Sequence, residues 1–254
     1  MKASVVLSFD DARKDNIKAF DEVLIPLKIP FTLNVTTGYV DGTLSRELWP
    51  TSIPGMSIED VIRYSNNELC EIALHGDKHI GDKDDVLESF NKICSWIGNR
   101  KAIGFASPGC NQVFYKGLPD WVLYERIGIN KEKNTLLKRV ARRISKIIPS
   151  ALLYCYSFSD SIMYKLEKGI LYSATIFNET TVAQISRLIR SIIQSGGSII
   201  LQFHSIGFGR NEEDAWTWDI EIFVTFCQYI CNLREQNKIQ ILTTMELING
   251  LLEL

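Results

Sequence analysis

The sequence is poor in several things, and each shortage excludes something. Net charge is nearly absent: 28 Lys and Arg against 30 Asp and Glu leave −2 over 254 residues. A dedicated nucleic-acid binder would carry an overall basic footprint instead. Long hydrophobic runs are missing, and nothing approaches the roughly 18 apolar residues a transmembrane helix needs. The N-terminal run Val5-Val6-Leu7-Ser8-Phe9 meets Asp10 and Asp11 at once, which suits a strand and makes a poor secretion signal. The six cysteines form no C-x-x-C pair and read as reduced, mostly buried thiols of a cytoplasmic protein. Apolar residues are not short: 46% hydrophobic against 23% charged excludes a disordered chain.

What is present alternates. Near-continuous apolar runs, as expected of strands covered on both faces, fall at 3–9, 31–36, 69–74, 101–106, 152–158, 170–176, 198–203 and 239–243. Helix-period stretches lie between them at 13–25, 58–66, 83–97, 180–195, 219–236 and 245–252. Ser57 with Asp60 predicts a capping box, and Gly196-Gly197 predicts a helix stop. This rhythm, with no break in composition, implies one α/β domain on a parallel sheet, open or closed. Two stretches interrupt it. Residues 41–57 read as a long loop. Residues 112–150 read as an inserted connection followed by a basic helix, with seven Lys or Arg and one acid between Lys131 and Ile147.

Histidine is scarce, with three in the chain: His75, His79 and His204. Each stands at or just past the end of an expected strand, as do Asp10 and Asp11. In a parallel α/β domain such strand ends emerge on one face, where ligands bind. His75 and His79 have the spacing H-x-x-x-H, close enough to share one ion. Two imidazoles and one carboxylate leave coordination positions open, the pattern of a catalytic metal site. Of the two aspartates, one could bind metal while the other accepts a proton from the attacking water. The bland alternatives are a helix N-cap for the Asp pair, a surface loop for His75 and His79, and a satisfied core imidazole for His204.

On these residues the chain resembles the polysaccharide deacetylases of the NodB-homology type, carbohydrate esterase family 4. Ser8-Phe9-Asp10-Asp11-Ala12 looks like that family's T-F-D-D-G. Glu71-Ile72-Ala73-Leu74-His75-Gly76-Asp77-Lys78-His79 looks like its E-I-x-x-H-x-x-x-H. Phe105-Ala106-Ser107-Pro108-Gly109-Cys110-Asn111 is similar to F-R-x-P-x-G, and Leu201-Gln202-Phe203-His204 to the late L-x-x-H. The resemblance spans essentially the whole chain. It implies a distorted single-domain (β/α)7 barrel of the TIM type. It also implies one divalent ion, often zinc, on Asp11, His75 and His79, with Asp10 as general base and His204 as general acid. Substrate contacts would come from Pro108 and Gly109, and the implied reaction removes an N-acetyl group from an amino-sugar glycan or glycan precursor. Two departures stand out. Ala106 occupies the position of the motif arginine, leaving Arg13 or Arg210 to replace it, and the family's Asp-Trp motif is not evident near Ile176–Glu179.

Trp216 and Trp218, after the His204 loop, offer aromatic faces for sugar stacking or for packing on the barrel, and Trp49 has the same ambiguity. In the basic helix Leu136, Leu137, Val140, Ile144, Ile147 and Ile148 share one arc, and Lys138, Arg139, Arg142, Arg143 and Lys146 the opposite one. The expected arrangement packs the apolar arc and solvates the basic one. A sharper alternative is contact with an anionic membrane surface through Lys138, Arg139, Arg142 and Arg143. Two rival functions stay open: an amidase on a non-sugar amide, and a non-catalytic glycan-binding module.

Overall fold

The structure is a computed structural model that describes residues 2–45, 53–129, 134–165, 169–208 and 215–252. Trp49 and Arg210 lie outside the described residues.

Seven parallel strands close into a barrel. They are β1 (Ala3–Phe9), β2 (Phe31–Val35), β3 (Cys70–Leu74), β4 (Ile103–Ala106), β5 (Val122–Ile127), β6 (Ile170–Thr175) and β7 (Ser198–Phe203), paired in chain order, and β7 returns to β1. The closing seam is long, from Ser4 against Ser198 to Phe9 against Phe203. The opposite edge of β1 is split. Its upper part, Ser8 and Phe9, pairs with β2, while Ala3–Val6 pair with a short late strand, Ile239–Leu242. That late strand wedges the barrel open at its lower end and distorts it. The short strands β8 (Ser205–Gly207) and β9 (Thr217–Asp219) pair with each other above β7, and Ile239–Leu242 is β10.

The outer helices are α1 (Asn16–Ala19, continued by a π turn to Leu24), α2 (Thr37–Val40), α3 (Ile58–Ser65), α4 (Lys83–Ile97), α5 (Leu136–Ile147), α6 (Ala151–Ser157), α7 (Val182–Ser195) and α8 (Ile220–Glu235), while α9 (Thr244–Leu252) packs on the interior residues of the barrel. The expected signals operate. Ser57 and Asp60 form the reciprocal capping box of α3, and α7 stops at Gly196 in the left-handed conformation.

Strand alternation sorts side chains between two cores. Val5, Leu7 and Phe9 face outward into an aromatic layer with Phe20, Phe31, Phe203 and Phe223, in which Phe9 stacks on Phe203 at 5.1 Å. Ser4, Val6, Ser8 and Asp10 face the barrel interior. Val6, Leu171, Ile200, Leu247 and Ile248 form an apolar plug there. Below the plug Glu71 holds the floor: its carboxylate accepts from Tyr124 Oη (2.7 Å), Thr32 Oγ1 (2.9 Å) and the backbone N–H of Met245 (2.8 Å). These bonds tie β3 to β5, β2 and the start of α9.

Two strand expectations need correction. The run 152–158 is a helix, α6, capped by Ser150, whose hydroxyl accepts from the N–H of Leu153. A short apolar run does not by itself distinguish a strand from a helix segment, and here Tyr154 and Ser157 turn inward while Leu152 and Tyr156 are exposed. The fifth barrel strand is instead 122–127, inside the stretch read as a connection. Its Glu125 and Arg126 break the apolar run although both are buried.

The amphipathic helix α5 is also the reverse of the expected packing. Its buried residues are Ala141 and Ser145, while Leu136, Leu137, Val140, Ile144, Ile147 and Ile148 are exposed. Lys138 and Arg142 turn inward. Lys138 Nζ pairs with Asp160 Oδ1 at 2.6 Å, and Arg142 donates to the carbonyl of Ser157 at 2.9 Å with its guanidinium on the Phe158 ring. The small residues allow a close approach, and the long cationic stems reach polar partners across it.

Glu71→Ala removes a buried three-way acceptor and leaves the Tyr124 and Thr32 hydroxyls without it. The expected loss is about 2–4 kcal/mol of unfolding free energy, read from urea denaturation of the variant against the parent.

Candidate metal centre

The upper end of the interior is polar because inward positions at the strand tops carry Asp10, Asn34, His75, Arg126, Ser173 and Gln202. Asp10 is fully buried, and donors from three other strands converge on its carboxylate. Arg126 Nη2 on β5 reaches both oxygens at 2.7 Å, Asn34 Nδ2 on β2 reaches Oδ1 at 2.8 Å, and Gln202 Nε2 on β7 reaches Oδ2 at 2.7 Å. Burial works to raise the pKa of this carboxyl, but Arg126, helped by His75 and His204, outweighs it and holds Asp10 below the usual carboxylate range.

Asp11 is treated differently. Its φ of 78° and the φ of 56° at Ala12 take the chain out of strand alternation, so consecutive aspartates reach the same site. Asp11 Oδ1 is buried without a hydrogen-bond partner. It lies 3.4 Å from His75 Nε2 and 3.6 Å from His79 Nε2. The ligand atoms of these three residues all lie within 4.8 Å of one another. Two ligands about 2.1 Å from one tetrahedral ion stand about 3.4 Å apart, so the residues fit a shared ion. Burial opposes ionisation of Asp11, but His75, His204 and His79 prevail and depress its pKa strongly.

The imidazoles are set for this role. His75 Nδ1 lies 2.7 Å from the carbonyl oxygen of Ala106, which selects the tautomer with the proton on Nδ1 and leaves Nε2 for a cation. His79, with φ of 58°, sits in a loop wound around one buried carboxylate, that of Asp85 in the first turn of α4. Asp85 accepts from the backbone N–H groups of Asp77, Lys78, Ile80 and Gly81. Gly76 (φ 82°) is required there, since a Cβ would lie 2.3 Å from Asp85 Oδ2. Burial, then the neighbouring His75, lowers the pKa of His79 to about 4, so it is neutral and able to ligate at neutral pH. His204 follows β7. Its carbonyl accepts from Asn16 Nδ2 at 2.8 Å, its ring packs on Trp216 at 4.4 Å, and its buried Nδ1 has no partner. Burial lowers its pKa against the opposing charges of Asp11 and Asp10.

The remaining expected residues divide. Pro108 is buried in the turn after β4, in van der Waals reach of a side chain at Gly81, and Gly109 (φ 61°) is exposed beside it. Trp216 lies at the site, between His204 and Phe177. Trp218 does not: it is 1% exposed, its indole N–H donates to the carbonyl of Thr180 at 2.7 Å, and it packs on Phe203 and Phe226. Of its two readings, packing on the barrel is the one observed. The cation beside Asp10 is likewise not Arg13, which bonds Ser205 Oγ (2.6 Å) and lies 3.7 Å from Asp11 Oδ2. It is Arg126, whose register partner on the neighbouring strand is Ala106. The sequence pattern assigns no role to Arg126, Gln202, Asn34 or Asp85. Their signal is a polar residue of inward parity in a buried strand, or, for Asp85, an acid in a helix first turn just after the histidine loop.

No family model matches the chain, and no curated protein matches it in sequence. Among solved structures, it is similar to a putative polysaccharide deacetylase from Mycobacterium smegmatis, with TM-score 0.57 at 11% identity over 99% of this chain and 91% of that one. The catalytic domain of a peptidoglycan N-acetylglucosamine deacetylase from Eubacterium rectale ATCC 33656 aligns with TM-score 0.44 at 15% identity, over 96% and 90% of the two chains. A family 4 acetyl xylan esterase from Clostridium thermocellum, in complex with a cobalt ion, aligns with TM-score 0.40 at 15% identity, over 78% and 87%. At these identities the likeness is one of fold, and the first of the three carries it.

Calorimetric titration with zinc should give about one equivalent bound. His79→Ala should abolish that binding, and Asp85→Ala, which frees the loop without touching a ligand, should weaken it about 10–100-fold.

Proposed function

We propose that the chain is a metal-dependent hydrolase of non-peptide C–N bonds that removes an N-acetyl group from an amino-sugar-containing glycan or glycan precursor. The observation that carries this reading is the partnerless Asp11 Oδ1 beside two imidazole Nε2 atoms, in a barrel shared with a putative polysaccharide deacetylase. Asp11, His75 and His79 would hold a divalent ion, and their two nitrogens and one oxygen suit zinc. When bound, such an ion supplies a Lewis acid that polarises the acetamide carbonyl and acidifies water.

The chain's own groups do the rest. Asp10, pinned by Arg126, Gln202 and Asn34, keeps its Oδ2 3.8 Å from His75 Nε2, at the edge of the ion site. An anion with a depressed pKa is a weak base, so it accepts a proton only from a strongly acidified water. His204, neutral at rest because burial lowers its pKa, would take up one proton from solvent as charge builds at the site and pass it to the departing amine, and the Trp216 ring against it limits how the imidazole turns. Pro108, Gly109 and Trp216 line the substrate's approach. The binding-module alternative rests on the missing motif arginine and the missing Asp-Trp motif. Arg126 supplies a guanidinium to Asp10 from the next strand and removes the first of these. Six free cysteines fit a cytoplasmic setting, and among the described residues no helix is long and apolar enough to cross a membrane.

Acetate release from N-acetylglucosamine oligomers tests the reading, with small non-sugar acetamides as the comparison. Chelation should abolish release and added zinc restore it. Asp10→Asn should cost about 10²–10⁴ in kcat/KM. Arg126→Met should lower kcat about 10²–10³-fold with metal stoichiometry unchanged, because it unpins the base and leaves the ligands in place.

A further inference from the structure

The inverted helix α5 leaves an apolar stripe in solvent. Ile147 is 83% exposed, Leu137 70% and Leu136 66%, and Leu152 of α6 extends the stripe at 65%. Val140 and Ile144 join these ends. Both helices are properly capped, α5 by Thr135 and α6 by Ser150, so the stripe belongs to regular structure. The inner face of α5 is already used by Ala141, Ser145, Lys138 and Arg142, and the helix therefore does not bury its apolar arc by rolling over. A contiguous apolar surface of this kind marks an interaction site.

Charge identifies the occupant. Residues 134–159 contain five Lys or Arg and no Asp or Glu. Arg139 and Arg143 are exposed beside the stripe, free of the inward contacts that hold Lys138 and Arg142. A second copy of this chain fits badly, because a two-fold interface would set these arginines against their like with no carboxylate in the segment to offset them. An anionic bilayer offers both complements at once: acyl chains for the leucines and isoleucines, and headgroup charge for the flanking guanidinium groups.

We propose that α5 and the start of α6 dock on an anionic membrane surface, with Leu136, Leu137, Ile144 and Ile147 entering the interface and Arg139 and Arg143 meeting headgroups. This replaces Lys138 and Arg142 in the membrane contact expected from sequence. A chain of ring contacts links α5 to His204. Lys146 Nζ sits 3.4 Å over the Phe177 ring, Phe177 packs on Trp216 at 5.1 Å, and Trp216 packs on His204. Taken with the deacetylase reading, on which this clause alone rests, the favoured substrate is an acetamido sugar carried on a membrane lipid.

The test is flotation of the full chain with phosphatidylcholine vesicles, with and without phosphatidylglycerol. It needs no catalytic activity, so its failure and failure of the deacetylase reading are distinguishable. The chain should float with the phosphatidylglycerol vesicles at low salt and separate from them at high salt. Arg139→Ser with Arg143→Ser should weaken binding roughly thirtyfold, at about tenfold or less per cation. Ile144→Asp with Ile147→Asp should abolish it. Unchanged thermal melts would show that both variants fold. The proposal is overturned if the parent chain does not bind anionic vesicles, or if neither double variant weakens binding. It is equally overturned if the parent dimerises without vesicles and the Ile144→Asp, Ile147→Asp variant is monomeric.

Discussion

The ion pair between Asp10 and Arg126 spans the barrel from β1 to β5, and the site is arranged around it. Both side chains are essentially out of water. A buried pair of this kind is tolerated only when its desolvation is offset by good geometry and further hydrogen bonds. Here the offsets come from Asn34 and Gln202 on the carboxylate and from Ser173 Oγ, which accepts from Arg126 Nη1 at 3.0 Å. The network joins β2, β5, β6 and β7 to β1 in one layer. Removing either partner would leave a charge buried in the lumen without its counter-ion.

That layer gives two adjacent carboxylates opposite fates. Asp10 receives donors from three strands and becomes a fixed anion. Asp11, turned by positive φ at two successive residues, meets imidazoles on one oxygen and keeps that oxygen without a donor. Strain at Asp11 and Ala12, of the order of 1–2 kcal/mol per residue, is held by the closed barrel beneath and by the segment above, where Met56 N–H donates to the carbonyl of Ala12 at 2.8 Å. The histidine side of the site is built by the same device in reverse. There a single acceptor, Asp85, gathers four backbone donors and fixes a loop that contains no regular structure. One carboxylate is saturated by side chains, one by backbone, and one is left open beside two imidazoles.

Much of this was legible in the sequence, and what was hidden was hidden for definite reasons. β1, β3 and β7 could be read because their apolar runs end in acids or histidine, and so Asp10, Asp11, His75, His79 and His204 could be placed together at one end of the sheet. The strand 122–127 escaped because Glu125 and Arg126 interrupt its apolar run. Yet Arg126 is inward by alternation from Tyr124, and Glu125 is satisfied by the backbone N–H groups of Val113 and Phe114. At Arg126, polarity within a strand marks the lumen. The amphipathicity of α5 gave two faces correctly but not which one is buried. The small residues Ala141 and Ser145, on the arc between them, decided that. Trp218 was ambiguous because residues two apart on a strand share a face, so alternation alone would set it beside Trp216, whereas it is buried against Phe203 and Phe226.

The change of position of the guanidinium follows from barrel geometry. In a parallel barrel, register partners on adjacent strands share inward parity and present their side chains to the same lumen. Ala106 and Arg126 are such partners. A long side chain from either position can reach the top of β1, so the cation beside Asp10 can change strands while the carboxylate it serves stays still. Ala106 contributes through its backbone, since its carbonyl oxygen orients His75. A large residue at 106 would crowd the space that Arg126 now crosses, and the small side chain at one partner is the steric condition for the long one at the other. The departure from the expected motif at 106 and the buried arginine at 126 are therefore one feature of the layer, read from two strands.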